Sequence, residues 1–197
     1  MQFEAGNIYH IYNQGNNRQK IFFIRENYLF FLKKIRKYIL PYADIMAWCL
    51  MPNHFHFMVV VKHTVLTVGV TSSDADGHPR TFNDSIGIML RSYTRAVNKQ
   101  QNRTGKLFRE KTKAECVICQ QGLAPNFIVN NGVTQNNKIL PEQYYPQILF
   151  NYIHSNPVKA GLVKRETDWE FSSAYDYFGE RNGTLANRKI AKEFVIW

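Results

Sequence analysis

Apolar positions along the chain follow two periods, and the order in which they alternate gives most of the architecture. Residues 8–13 alternate as a half-buried strand does and run into the turn-forming cluster Asn13-Gln14-Gly15-Asn16-Asn17. Over 26–40 the period lengthens: Leu29, Leu32, Ile35 and Tyr38/Ile39 recur at helical spacing, while Lys33, Lys34, Arg36 and Lys37 fall off that stripe. Strands follow over 44–51 and 55–61, joined at Pro52-Asn53 into a hairpin. The polar, glycine-bearing stretch 62–80 reads as a long surface loop. Thr81-Phe82-Asn83-Asp84 has the form of a reciprocal helix cap, with Asp where Glu is commoner, and Phe82, Ile86, Met89/Leu90, Tyr93 and Val97 make the buried stripe of the helix after it. A fourth strand is expected over 111–118, then an Asn- and Gln-rich segment of low signal over 120–138. A last helix starts near Pro141-Glu142 and ends at Asn156-Pro157, because proline disfavours helical geometry in the residue before it. Strands and helices interleaved in this order predict an α+β chain built on one sheet.

Size adds little to that picture, and charge adds more. A chain of 197 residues with 45% apolar content fits one domain with a sizeable core, and no repeat or linker divides it. Residues 1–197 are therefore expected to form one domain, with a C-terminal extension from about 175. Lysine and arginine outnumber acidic residues 25 to 15, and the resulting +10 charge favours a polyanionic partner, nucleic acid before an acidic membrane. No apolar run approaches the roughly 20 residues a membrane-spanning helix needs. The first residues lack a basic stretch followed by an apolar one, so no secretion signal is read there and a cytoplasmic location is expected.

Cysteine chemistry is thinly supported. Cys49, Cys116 and Cys119 are too few for a disulfide framework, although Cys116-Val117-Ile118-Cys119 has zinc-ligand or redox spacing. The zinc deaminase pattern is absent, since no Glu stands two residues after a histidine and there is no Pro-Cys-x-x-Cys.

Histidine chemistry is the sharper signal. In Met51-Pro52-Asn53-His54-Phe55-His56-Phe57-Met58-Val59-Val60-Val61 the two histidines share one strand face, and Phe55, Phe57 and Val59 take the other and anchor it in a core. Six histidines in the chain make a chance pair the bland alternative, but the apolar neighbours weigh against it. Two imidazoles looking out of a sheet are half of a metal site. Near the end of the last helix, Tyr152 and Asn156 stand four apart on one face, so a phenol and an amide could converge on a third object. Periodicity alone places Tyr152 in the apolar stripe of Tyr145, Ile148 and Leu149, hence in the core. Arg91, Arg95 and Lys99 recur every four residues, a ladder that suits phosphate tracking and an ordinary solvated face equally well.

Taken together, these motifs resemble a known family. Met-Pro-Asn-His-x-His at 51–56 is followed about a hundred residues later by Tyr152-Ile153-His154-Ser155-Asn156-Pro157-Val158-Lys159-Ala160-Gly161-Leu162-Val163. Gly105-Lys106-Leu107-Phe108 lies between them, and Trp169-Glu170-Phe171-Ser172-Ser173 lies beyond. In this order they resemble the IS200-like Y1 transposases, and more narrowly the REP-associated tyrosine transposases, a branch of the HUH endonucleases. The likeness spans roughly residues 7–178.

The resemblance implies a ferredoxin-like sandwich, a central antiparallel sheet with helices packed on it. It further implies that His54 and His56 are metal ligands and take part in catalysis, that Tyr152 is the nucleophile and that Asn156 is a third, polar metal ligand. Tyr93, the competing tyrosine, sits on a buried stripe and lacks this context. A divalent Mg²⁺ or Mn²⁺ ion is the implied cofactor, and single-stranded DNA with a hairpin is the implied partner. The implied products are a 5′-phosphotyrosine and a free 3′-hydroxyl, with the strand later rejoined in transposition. Arg91, Arg95, Lys99, Arg109 and Lys111 are the candidate DNA contacts, and Tyr12, Phe108 or Trp169 could stack on bases. Family dimers pair the histidines of one chain with the tyrosine of the other, whereas the REP-associated branch can work as monomers, so both monomer and homodimer stay open. Two other classes compete: a hairpin-binding protein that no longer cuts, and a structural zinc protein using Cys116, Cys119, His54 and His56.

Overall fold

In the computed structural model, which describes residues 2–67, 78–118, 127–130, 133–136, 145–179 and 181–197, the two hairpin strands of the central sheet are largely apolar runs, and the other two strands mix apolar with polar positions. The order is β1 (Ile8–Gln14), α1 (Arg25–Tyr38), β2 (Ala43–Met51), β3 (His54–Val61), β4 (Val65–Thr67), β5 (Pro79–Thr81), α2 (Phe82–Gln100) and β6 (Lys113–Ile118). After these come β7 (Phe127–Asn130), β8 (Val133–Asn136), α3 (Tyr145–Lys159), α4 (Ala174–Tyr177) and α5 (Arg188–Ala191). The sheet runs β2-β3-β1-β6 and is antiparallel at every pairing. Because β1 and β2 both lie antiparallel to β3, they are parallel to each other with β3 between them. This is the split βαβ arrangement of a ferredoxin-like sheet, and the α+β expectation holds.

Register decides which side chains can meet. Tyr12 pairs with His56 and Gln14 with His54 across β1 and β3, so His10, Tyr12, His54 and His56 share one face. Ile11, Phe55 and Phe57 take the other face and are fully buried. There α1 and α2 close the core, with Phe31 packed against Phe55 and Tyr93 at ring-centroid distances of 5.4 and 4.8 Å. The buried stripe of α1 is Tyr28, Phe31, Ile35 and Ile39, one position away from the expected one at its N-terminal end: Leu29 is exposed and Leu32 only half-buried. Both stripes fit the helical period, and the aromatic one wins because Tyr28 and Phe31 both pack on Phe22. In α2 the expected stripe is buried throughout and the reciprocal cap is present, Asp84 N–H donating to Thr81 Oγ1 and Thr81 N–H to Asp84 Oδ2, each at 3.1 Å.

Two segments read as structureless carry pairing. Val65–Thr67 pairs antiparallel with Pro79–Thr81, and Phe127–Asn130 with Val133–Asn136. Both are short two-stranded ladders outside the central sheet, and residues 68–77 and 119–126 lie outside the described ones.

The opposite face of the sheet is covered by α3, which is fixed to β2 through a buried relay. His154 Nε2 lies 2.6 Å from Ser173 Oγ, and that hydroxyl accepts from the Trp48 N–H at 2.9 Å. Residues beyond 175 continue along the same strand, where Asn187 N–H donates to the Ile45 carbonyl at 2.7 Å and Ala191 is fully buried. The expected start of α3, near residues 141–142, lies outside the described residues. Its expected end is corrected, because the helix runs through Pro157 to Lys159. Proline withholds one donor from the ladder at this point, and the helix nonetheless continues for two more residues. The stop comes at Gly161, whose φ of +68° closes a Schellman turn: Leu162 N–H reaches the Pro157 carbonyl and Gly161 N–H the Val158 carbonyl, each at 2.9 Å. Tyr152, Asn156 and Lys159 therefore sit on one unbroken helical face.

Candidate active site

The site forms where that face of α3 crosses the histidine face of β1 and β3. Tyr152 meets His56 edge to face with centroids 5.5 Å apart, and His10 at 6.2 Å. Tyr152 is 38% exposed, so the periodicity reading that put it in the core is wrong. The stripe buried by α3 is Leu149, Phe150, Ile153 and His154, which rotates Tyr152 to the rim. His56, expected to look out of the sheet, is only 6% exposed because α3 folds over it. His54 is half-buried, its ring 5.0 Å from that of His56.

Both imidazoles are held at Nδ1. His54 Nδ1 lies 2.6 Å from Asn53 Oδ1, an oxygen that can only accept, so the proton sits on the ring nitrogen. His56 Nδ1 lies 2.9 Å from His10 Nε2. Burial pushes all three rings toward the neutral form: His10 titrates near 4, His56 is held well below the ordinary imidazole value with His10 and His54 adding to the effect, and His54 is lowered less because a hydrogen bond with Asn156 opposes its burial. Neutral imidazole is the form that donates a lone pair to a metal. Asn156 spends its Nδ2 on the Tyr152 carbonyl at 2.8 Å and meets His54. Among the described residues no three His, Cys, Asp or Glu side chains converge as ligands, so a metal here would rest on two imidazoles and an amide.

A pocket of about 360 Å³ opens in front of these groups and is lined by Tyr12, His54, His56, Tyr152, Arg109, Lys111 and Lys113. Its nearby carboxylate is Glu115, which accepts from the Tyr12 hydroxyl at 2.5 Å. Through Asn13 and Arg109 the pocket shares its wall with a groove of about 550 Å³ between α2 and residues 105–112. Arg91, Arg95, Lys106 and Arg109 line that groove, together with Phe108. Of the five candidate DNA contacts, Arg91, Arg95, Arg109 and Lys111 thus face the two connected concavities, while Lys99 lines neither. Of the three candidate stacking residues only Tyr12 remains at the site. Phe108 is buried against Phe55 and Tyr93, and the Trp169 ring is tied to the Leu50 carbonyl through its Nε1–H at 3.0 Å.

No family model and no curated protein matches the chain. Among solved structures, it is similar to a REP-associated tyrosine transposase determined bound to a REP hairpin, at 19% identity over 88% of this chain and 79% of that one, with a TM-score of 0.53. The two share a fold.

Sequence reasoning missed His10, Asn53 and Glu115. His10 was within reach: in Ile8-Tyr9-His10-Ile11-Tyr12 it shares the face of Tyr12, and antiparallel pairing of β1 with β3 brings that face to His56. Cys116 pairs with Tyr9, on the face opposite His10, and packs toward the α1–α2 core. That placement separates it from His54 and His56 by the thickness of the sheet and removes the zinc reading that combined them. Cys119 lies outside the described residues.

Proposed function

We propose that this chain is a metal-dependent single-stranded DNA endonuclease and strand transferase, cutting beside hairpins through a 5′-phosphotyrosine on Tyr152 in the manner of a Y1 transposase. The observation that carries the proposal is the meeting of Tyr152 with His54, His56 and Asn156 inside one chain. The +10 charge and the hairpin bound by the transposase of similar fold support single-stranded hairpin DNA as the partner. We propose further that residues 1–197 act as one catalytic unit, complete without a second copy.

The donor set fits a divalent ion. His54 has its Nδ1–H engaged by Asn53, which leaves its Nε2 for coordination, His56 meets His10 through Nδ1, and Asn156 would add an amide oxygen. When bound there, Mg²⁺ or Mn²⁺ would polarise the scissile phosphate, and neutral ligands would leave its charge undiminished. Tyr152, exposed at the rim, attacks phosphorus through its Oη, and the bond to the 3′-oxygen breaks. The proton lost by the phenol balances the one gained by the departing 3′-oxygen. The phosphotyrosine keeps the phosphoryl bond for later rejoining by a 3′-hydroxyl. Arg109, Lys111 and Lys113 hold the flanking backbone, and Lys159, with Nζ 5.5 Å from the Tyr152 ring centroid, adds positive charge beside the reacting group.

The test is cleavage of labelled single-stranded hairpin DNA with Mn²⁺. A covalent protein–DNA adduct is expected from the wild type and none from Tyr152→Phe, with hairpin binding retained. Binding without an adduct from either protein would make this a non-cutting hairpin-binding protein.

A further inference from the structure

One buried polar contact ties a residue without an assigned role, His10, to one of the four groups assigned to chemistry. His10 Nε2 and His56 Nδ1 are 2.9 Å apart, and the two rings stack at 5.1 Å with 24° between their planes. Both side chains are buried, so water does not compete for the contact. Two unprotonated nitrogens, or two N–H groups, would repel at this distance. One proton therefore lies between the rings, and it belongs to one of two tautomers.

The choice matters for His56. If His10 donates, His56 carries its proton on Nε2 and has no lone pair there. If His10 accepts, His56 is the Nδ1–H tautomer and its Nε2 is free. His54 has the second arrangement imposed by Asn53, whose oxygen cannot donate.

We infer that His10 is a positioning residue, accepting the Nδ1–H of His56 and so presenting the Nε2 lone pair of that ring as a metal ligand. The inference rests on the metal role proposed for His56. It gives each imidazole its own orienting acceptor, Asn53 for His54 from the same hairpin and His10 for His56 from the neighbouring strand. Partners of this kind fix ring orientation and raise ligand basicity, and their loss typically weakens metal binding by about 10- to 100-fold. Register makes the arrangement rigid: His10 pairs with Met58, two residues from His56 on the same face of β3, so a frame fixed by the ladder carries both rings.

Two measurements test it. In the metal-free full-length protein at neutral pH, ¹⁵N shifts of the imidazoles should show His56 protonated at Nδ1 and bare at Nε2. The reverse pattern overturns the inference. In a Mn²⁺ titration followed by electron paramagnetic resonance, His10→Gln, which keeps an acceptor, should bind within about threefold of wild type, and His10→Phe about 10- to 100-fold more weakly. Equal affinity of folded His10→Phe and wild type overturns it. A wild type that binds no Mn²⁺ yet shows the Nδ1–H tautomer would remove the metal reading of the site while still supporting His10 as the partner that orients His56.

Discussion

The rings of His56 and Tyr152 meet edge to face at 5.5 Å, and both belong to one chain. α3 is held over β2 by the His154–Ser173–Trp48 relay, so this contact is built into the fold rather than left to an assembly. Mixing Tyr152→Phe with His54→Ala should therefore restore no covalent adduct. An adduct formed by the mixture, with neither variant active alone, would show that nucleophile and histidines come from different copies.

The histidines should be separable from the tyrosine by metal dependence. If the proposed metal role holds, His54→Ala and His56→Ala should each lower cleavage by about 100-fold or more, with Mn²⁺ affinity falling in parallel. Asn156→Ala should cost about tenfold, since an amide is a weaker ligand. Hairpin binding in the absence of metal, read by gel shift, should change little in all three.

The basic groove predicts a salt signature. Each phosphate contact on a single strand contributes roughly 0.7 to the slope of log K against log salt. Arg109 lines both concavities, so Arg109→Ala should lower that slope by about that amount, and Arg95→Ala similarly. Lys99 lines neither, and Lys99→Ala should leave the slope near its wild-type value. Fluorescence anisotropy between about 50 and 200 mM salt reads it.

Much of this arrangement is legible in the sequence where period and chemistry agree. The alternation over β1 and β3, the reciprocal cap at Thr81 and the stripe of α2 are local signals that the tertiary structure keeps. Where two readings share one period, the sequence is silent: Leu29/Leu32 and Tyr28/Phe31 both suit α1, and aromatic packing on Phe22 decides. Tyr152 is the same case, since a helix with apolar residues on several sides does not show which one the sheet will cover. The face of His10 is legible from the alternation over β1, but its partner is not, because the pairing of β1 with β3 that sets it beside His56 is a non-local fact.

Tyr93 provides a control for the nucleophile. Its ring is fully buried, and its hydroxyl donates to the Ile21 carbonyl at 2.8 Å in the core. Tyr93→Phe leaves that carbonyl unpaired and should cost about 1–2 kcal/mol in urea unfolding. Adduct yield under native conditions should stay at the wild-type level, whereas Tyr152→Phe should show the opposite pattern, with stability kept and the adduct lost.

Acid should loosen this fold through its buried imidazoles before its carboxylates are protonated. His154 and His10 titrate near 3 and 4, well below the ordinary value of 6.5, because burial penalises their charged forms. A group whose folded value is depressed binds more protons in the unfolded chain, so its contribution is complete above about pH 6.5 and declines as pH falls toward the folded value. Each such ring contributes a slope of up to about 1.4 kcal/mol per pH unit in that window. Metal-free unfolding free energy should accordingly be flat from pH 8 to 7 and fall between about pH 6.5 and 4.5. His154→Phe should reduce the slope by the share of one ring, whatever it does to stability at pH 7. A profile unchanged by that substitution would mean that the His154 ring titrates in the folded protein as it does in the unfolded chain, and so is not held in the buried, neutral state described here.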